Sequence, residues 1–215
     1  MSKKTEFKKD FDRINKVFFL CKESYLVLRE LYKTENNSDY LINVKFKNQF
    51  FILTKVNYWR VIVLQISKLF FEKGPFNILR FLDKCKKGNY YSSLNLSAEF
   101  INDKLGFIIS QQYIFDDLKI QRDKIFAHED SDNIGIINNI TLDEISQLLD
   151  FCKDIILHIY SAIYDTYLDF ESRNSAEANL QYILQSLDEN EIIRKQKREK
   201  NVFDLIRGNK NSNHK

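Results

Sequence analysis

Apolar residues in this chain recur at steps of three and four. From about Phe7 to Tyr32, the positions Phe11, Ile14, Phe18, Cys21, Tyr25, Leu28 and Tyr32 make one stripe, the mark of an amphipathic helix with one face in a core. A polar loop from Asn36 to Asp39 follows. A second helix is expected from about Val44 to Phe71; its centre, WRVIVLQISKLFF, is apolar on nearly all sides and so belongs in the middle of a bundle. Gly74 and Pro75 stop it and open a third helix, about Pro75 to Lys86, because proline is tolerated at a first helical position whose N–H has no partner. Ser97 is placed to cap a fourth helix from Ala98 to about Ala127. Its stripe, Phe100, Leu105, Ile108, Ile109, Gln112, Phe115, Leu118 and Phe126, drifts. Ser131 to Ile140 has no helical stripe and reads as a short hairpin or an irregular loop. Thr141 and Glu144 make a capping-box pattern ahead of a fifth helix, striped by Ile145, Leu148, Leu149, Cys152, Ile155, Ile156, Ile159 and Ile163 and ending near Phe170. A shorter helix, about Ala176 to Leu187, starts after Asn174 or Ser175, and a charged helix that frays into a polar end finishes the chain.

Composition agrees with helices. Five glycines and one proline in 215 residues leave little for the tight turns of an all-β fold. The length suits one sizeable domain with an appendage. The expected fold is all-α, an up-and-down bundle of four to five helices over residues 1–172, with a C-terminal helix and basic tail over 173–215. No run of about 18 apolar residues exists, and the charged N-terminus MSKKTEFKKD replaces the apolar core of a signal peptide. A membrane span and secretion are thereby set aside, and a cytoplasmic protein is expected. Cys21, Cys85 and Cys152 lack the paired spacing of a zinc or redox site; they read as free buried thiols, with no metal site and no cofactor. Residues 189–215 carry eight Lys or Arg against four acids, or +4, so the remainder of the +3 chain is 3 − 4 = −1. The basic excess lies in the tail.

Chemistry concentrates in the stretch QRDKIFAHED, Gln121 to Asp130. His128 has an unperturbed pKa near neutrality and can exchange a proton, while Arg122 is a permanent cation whose planar fork matches a phosphate. Metal-free RNA cleavage needs a base for the 2′-hydroxyl, an acid for the leaving 5′-oxygen and positive charge on the pentacoordinate phosphate, and this pair supplies all three. Six residues along a straight helix separate the two by roughly 9 Å of rise and roughly 120° of rotation. Either the helix ends before His128 and lets the ring turn back, or a second copy completes the site across a two-fold axis. The ordinary structural reading is that His128 sits at a helix C-terminus and Arg122 pairs on the surface with Asp116, Asp123 or Glu129.

Arg122, Asp123, Lys124, Ala127, His128 and Asp130, at the end of a long helix in an all-helical chain, resemble the R-x(4–6)-H motif of HEPN domains, and within them the AbiU2-like group linked to bacterial abortive infection. The WRVIVLQISKLF helix with its glycine and proline break is similar to that group as well. The resemblance covers about residues 7 to 170. It implies a four- or five-helix bundle, usually dimeric, with a metal-independent ribonuclease site built from Arg122 and His128 of both protomers and oriented by Asp123. The expected activity is that of an endoribonuclease toxin or effector in antiphage defence or a toxin–antitoxin system. It would act as a homodimer on single-stranded or loop RNA, with an antitoxin or defence-complex protein as a further partner.

Other residues are weighed against plainer roles. His158 falls in the apolar run of the fifth helix and reads as a half-buried or buried core residue. Tyr58 and Trp59 suit core packing better than base stacking. Arg60 and Lys68, cations on a mostly buried helix, line an RNA path or snorkel to water. With Lys124 and the tail residues Arg194, Lys195, Lys197 and Arg198, they complete the candidate RNA contacts. The rival to an enzyme is a non-catalytic helical module that binds a partner protein or senses RNA or nucleotide.

Overall fold

The stripe that begins at Phe7 becomes α1, Lys3–Glu35, and the other helices assemble on it. The computed structural model describes residues 3–37, 39, 41–71, 74–92, 96–127, 140–164 and 175–212. Among these residues there are no strands, and six further α-helices follow: α2 Gln49–Phe70, α3 Ile78–Cys85, α4 Ala98–Ser110, α5 Gln112–Ala127, α6 Leu142–Tyr164 and α7 Ala176–Ser212. The all-α bundle with a C-terminal helical extension is what the periodicity predicts. No helix among the described residues is long and apolar enough to cross a membrane.

The core lies between α1, α2, α5 and α6. Phe11, Ile14, Phe18, Cys21 and Leu28 of α1 are buried with Ile62, Ile66 and Leu69 of α2 and Cys152, Ile155 and Ile159 of α6, each full burial of a large aliphatic side chain contributing about 1.5–3 kcal/mol. α1 and α2 run antiparallel, since Cys21 bonds to the Ile62 carbonyl at 3.8 Å while Lys55 pairs with Glu35 at 2.6 Å. α6 is antiparallel to α1, with Asn15 donating to the Tyr160 hydroxyl. Caps mark the helix starts: the Ser97 hydroxyl accepts from the Phe100 N–H, Thr141 and Glu144 bond reciprocally, and the Ser175 hydroxyl accepts from the Ala178 N–H. All three cysteines are buried and free; burial pushes the Cys85 thiol up to about 12.

Four boundaries differ from the expected ones. Residues Leu41–Lys47 form a 3₁₀ helix, and α2 starts only at Gln49. Phe46 and Phe51 stack at 4.3 Å, whereas five residues along a straight α-helix would point them about 140° apart. Pro75 lies in a turn ahead of α3, and Asn77 is the cap, its side chain accepting from the Arg80 N–H at 2.9 Å. The expected fourth helix is two helices, broken at Gln111. On one straight helix Ile101 and Gln121 would face about 160° apart, and the break lets both be buried. Ile109, given to the core stripe, is instead 75% exposed and Gln112 is exposed too; Ile114 and Gln121 take the buried places. Finally, α7 is continuous from Ala176 to Ser212, for no glycine or proline interrupts residues 176–207. The expected hairpin or loop at 131–139 and the end of the fifth helix at 165–170 lie outside the described residues.

Candidate functional site

The end of α5 is set by one buried polar bond. The Trp59 indole N–H of α2 donates to the Gln121 side-chain oxygen at 3.0 Å, with the two residues only 6% and 5% exposed. An indole can only donate, so once buried it requires such an acceptor. Two turns earlier, Phe115 packs against Phe70 with ring centroids 4.9 Å apart. The two contacts make α5 antiparallel to α2 and fix both its height and its rotation. Trp59 is thus a core residue, while Gln121, which sequence reasoning left without a role, is its partner. The signal was present: a lone tryptophan in an apolar run, and a glutamine in phase with the buried Ile114 and Leu118.

Arg122 follows Gln121 and is turned about 100° from it. Its side chain is 24% exposed and that of Asp123 is 53% exposed. Arg122 Nε and Nη2 both donate to Asp123 Oδ1, at 2.9 and 2.7 Å. A guanidinium has five N–H donors, so this single oxygen leaves three without an acceptor among the described residues. Asp123 thus holds the guanidinium by one edge. A surface pair of this kind contributes only about 0–1 kcal/mol to stability, and so matters more for orientation than for folding. His128 lies outside the described residues, as does the Lys124 side chain, although Lys124 belongs to α5.

The other candidates divide by position. Arg60 is exposed on α2 directly after Trp59, whose indole bonds to the residue before Arg122. Lys68, half-buried and donating to Gln65 at 3.3 Å, stands about 12 Å farther along α2 and is not brought to Arg122. Arg194, Lys195, Lys197 and Arg198 are exposed on α7, with Arg194 paired to Glu191 at 2.9 Å. His158 is half-buried and stacks on Phe100, ring centroids 3.7 Å apart.

The family model HEPN_AbiU2, described as AbiU2, matches residues 8–186. It therefore takes in α1 to α6 and the first turns of α7. No curated protein and no solved structure matches the chain.

Proposed function

This chain belongs to the HEPN family AbiU2, and from that premise we propose that it is a metal-independent endoribonuclease acting as a toxin or effector in bacterial antiphage defence. The observation that supports this most directly is the Arg122 guanidinium, held at one edge by Asp123, in the last turns of α5 and six residues ahead of His128 in the sequence. Arg122 is the cation for the pentacoordinate phosphate and Asp123 its orienter. His128 takes the proton of the 2′-hydroxyl in one protonation state and returns one to the leaving 5′-oxygen in the other. The products are a 2′,3′-cyclic phosphate and a 5′-hydroxyl. Six residues along a straight helix would set an arginine and a histidine apart in height and direction, and we infer that the working site joins Arg122 of one copy to His128 of another in a homodimer.

The test is cleavage of a host RNA pool with and without EDTA, with product ends typed chemically. Arg122→Ala and His128→Ala should each lower turnover by about 10²-fold or more without altering the far-UV CD spectrum. An equimolar mixture of the two inactive variants, allowed to exchange subunits, should regain part of the activity. Wild-type rates in both single variants, or loss of cleavage in EDTA, would sink the assignment. A well-folded wild-type protein that cuts nothing and co-purifies stoichiometrically with another protein would favour the non-catalytic module.

A further inference from the structure

The cleavage chemistry employs one arginine, yet a second one stands on the same surface unused. α2 and α5 are antiparallel, with Phe70 packed on Phe115 and Trp59 bonded to Gln121. In an antiparallel pair, the residue following each facing residue turns by about 100° in mirror senses when both are viewed from one end, so the two project to the same side of the seam. Arg60 follows Trp59, and Arg122 follows Gln121. On α2 the other side is covered: Ile62, on the far side of the helix from Arg60, is buried and carries the carbonyl that Cys21 of α1 meets. Arg60, which is exposed, and Arg122, whose side chain is 24% exposed, therefore lie on one side of the seam.

Their spacing follows from the packing. Helix axes in contact lie about 8–10 Å apart, and one residue of rise in opposite directions offsets the two arginines by about 3 Å along the seam. Arg60 is exposed and has neither an ion pair nor a hydrogen bond among the described residues. We propose that Arg60 and Arg122 form a two-arginine clamp on one side of the α2–α5 seam that grips the phosphates of a single RNA strand. Arg60 is a binding residue, not a catalytic one. It holds a phosphate next to the one that Arg122 contacts, and the buried Trp59–Gln121 bond fixes the distance between the two. This deepens the proposed function and depends on it only for RNA as the carrier of the phosphates.

The clamp is tested by fluorescence anisotropy with a labelled single-stranded 2′-O-methyl RNA, whose blocked 2′-oxygen prevents cleavage, so that binding is read apart from activity. Arg60→Ala should raise the Kd about tenfold, the loss expected for one charge-assisted contact. It should also reduce the slope of log Kd against log salt by about 0.7, the share of one phosphate on a single strand. Arg60→Lys, which keeps the charge and loses the fork, should fall between Arg60→Ala and wild type. An unchanged Kd and slope in Arg60→Ala would overturn the clamp, as would a wild-type chain that does not bind this RNA. Tight, Arg60-dependent binding by a chain that cuts no natural RNA would leave the clamp standing and remove the ribonuclease.

Discussion

The molecule carries positive charge in two contrasting settings, the α2–α5 seam and the far half of α7. On the seam, two arginines each follow one member of a buried hydrogen bond. The first half of α7 is tied to the body: Arg29 pairs with Glu177, Gln181 donates to Glu30, the Ile42 N–H donates to Asp188, and Lys45 pairs with Glu191. Beyond Glu191, residues 192–203 are all exposed, and residues 192–212 hold seven Lys or Arg against two acids. Between Arg194 and Asn201 there is no apolar residue and hence nothing to anchor a face. The seam has less charge, but Asp123 holds the Arg122 guanidinium in one geometry; α7 has more, pointing in every direction around a rod. Preorganised donors act on a bound phosphate without first being ordered, so the seam should govern selectivity and turnover, and α7 the diffuse attraction.

The most severe way to break this comparison is to remove what holds the seam. Trp59→Ala deletes a buried aromatic and orphans the Gln121 side chain, and should cost about 3–5 kcal/mol, read as a lowered urea midpoint with an unchanged slope. RNA binding should fall with it, while residues 192–203 of α7, all exposed, keep their helical signal. A loss below about 1 kcal/mol would mean that the bond does not organise the seam.

A milder substitution sharpens the same point. Trp59→Phe keeps the apolar ring and removes the N–H, leaving the Gln121 oxygen buried without its donor, at a cost of about 1–3 kcal/mol. Adding Gln121→Leu removes the orphaned oxygen and should recover much of that loss. A double-mutant cycle that came out strictly additive would show the two residues to be uncoupled.

Much of this was legible in the sequence, because the stripe of α1 and that of α6 from Ile145 to Ile159 are buried as their three- and four-residue spacing requires, the apolar centre of α2 supplies Ile62, Ile66 and Leu69 to the core, and Ser97 and Thr141 cap the helices they precede. Contacts remote along the chain were not. The break at Gln111 carries no glycine or proline; its one trace is the drift of the stripe, which arises because Ile101 and Gln121 must both reach the core. The 3₁₀ turn follows from Phe46 meeting Phe51, which no local propensity dictates. At the candidate site, Arg122 and Asp123 stood out by residue type. Arg60 stood out as a cation on a mostly buried helix, but its nearness to Arg122, like the role of Gln121, follows only from the antiparallel pairing of α2 with α5, 62 residues apart at the Trp59–Gln121 bond.

The smallest effect is expected from the other side of the comparison. A chain ending at Glu191 lacks the far half of α7 but keeps every bond from α7 to the body named above. Because no side chain of residues 192–203 is buried, stability should change by no more than about 0.5 kcal/mol, as for surface substitutions away from packed features. Affinity for the 2′-O-methyl strand should fall at low salt, where diffuse cations attract phosphates over a Debye length of about 30 Å at 0.01 M, and converge on the full-length value near 0.15 M, where that length is about 8 Å. Arg60→Ala should behave in the opposite manner, losing affinity at both ionic strengths because its contact is direct. If truncation instead weakened binding at 0.15 M more than Arg60→Ala does, the ranking would invert. The unanchored charge of α7 would then be the principal grip, and the seam would serve only the strand that α7 delivers.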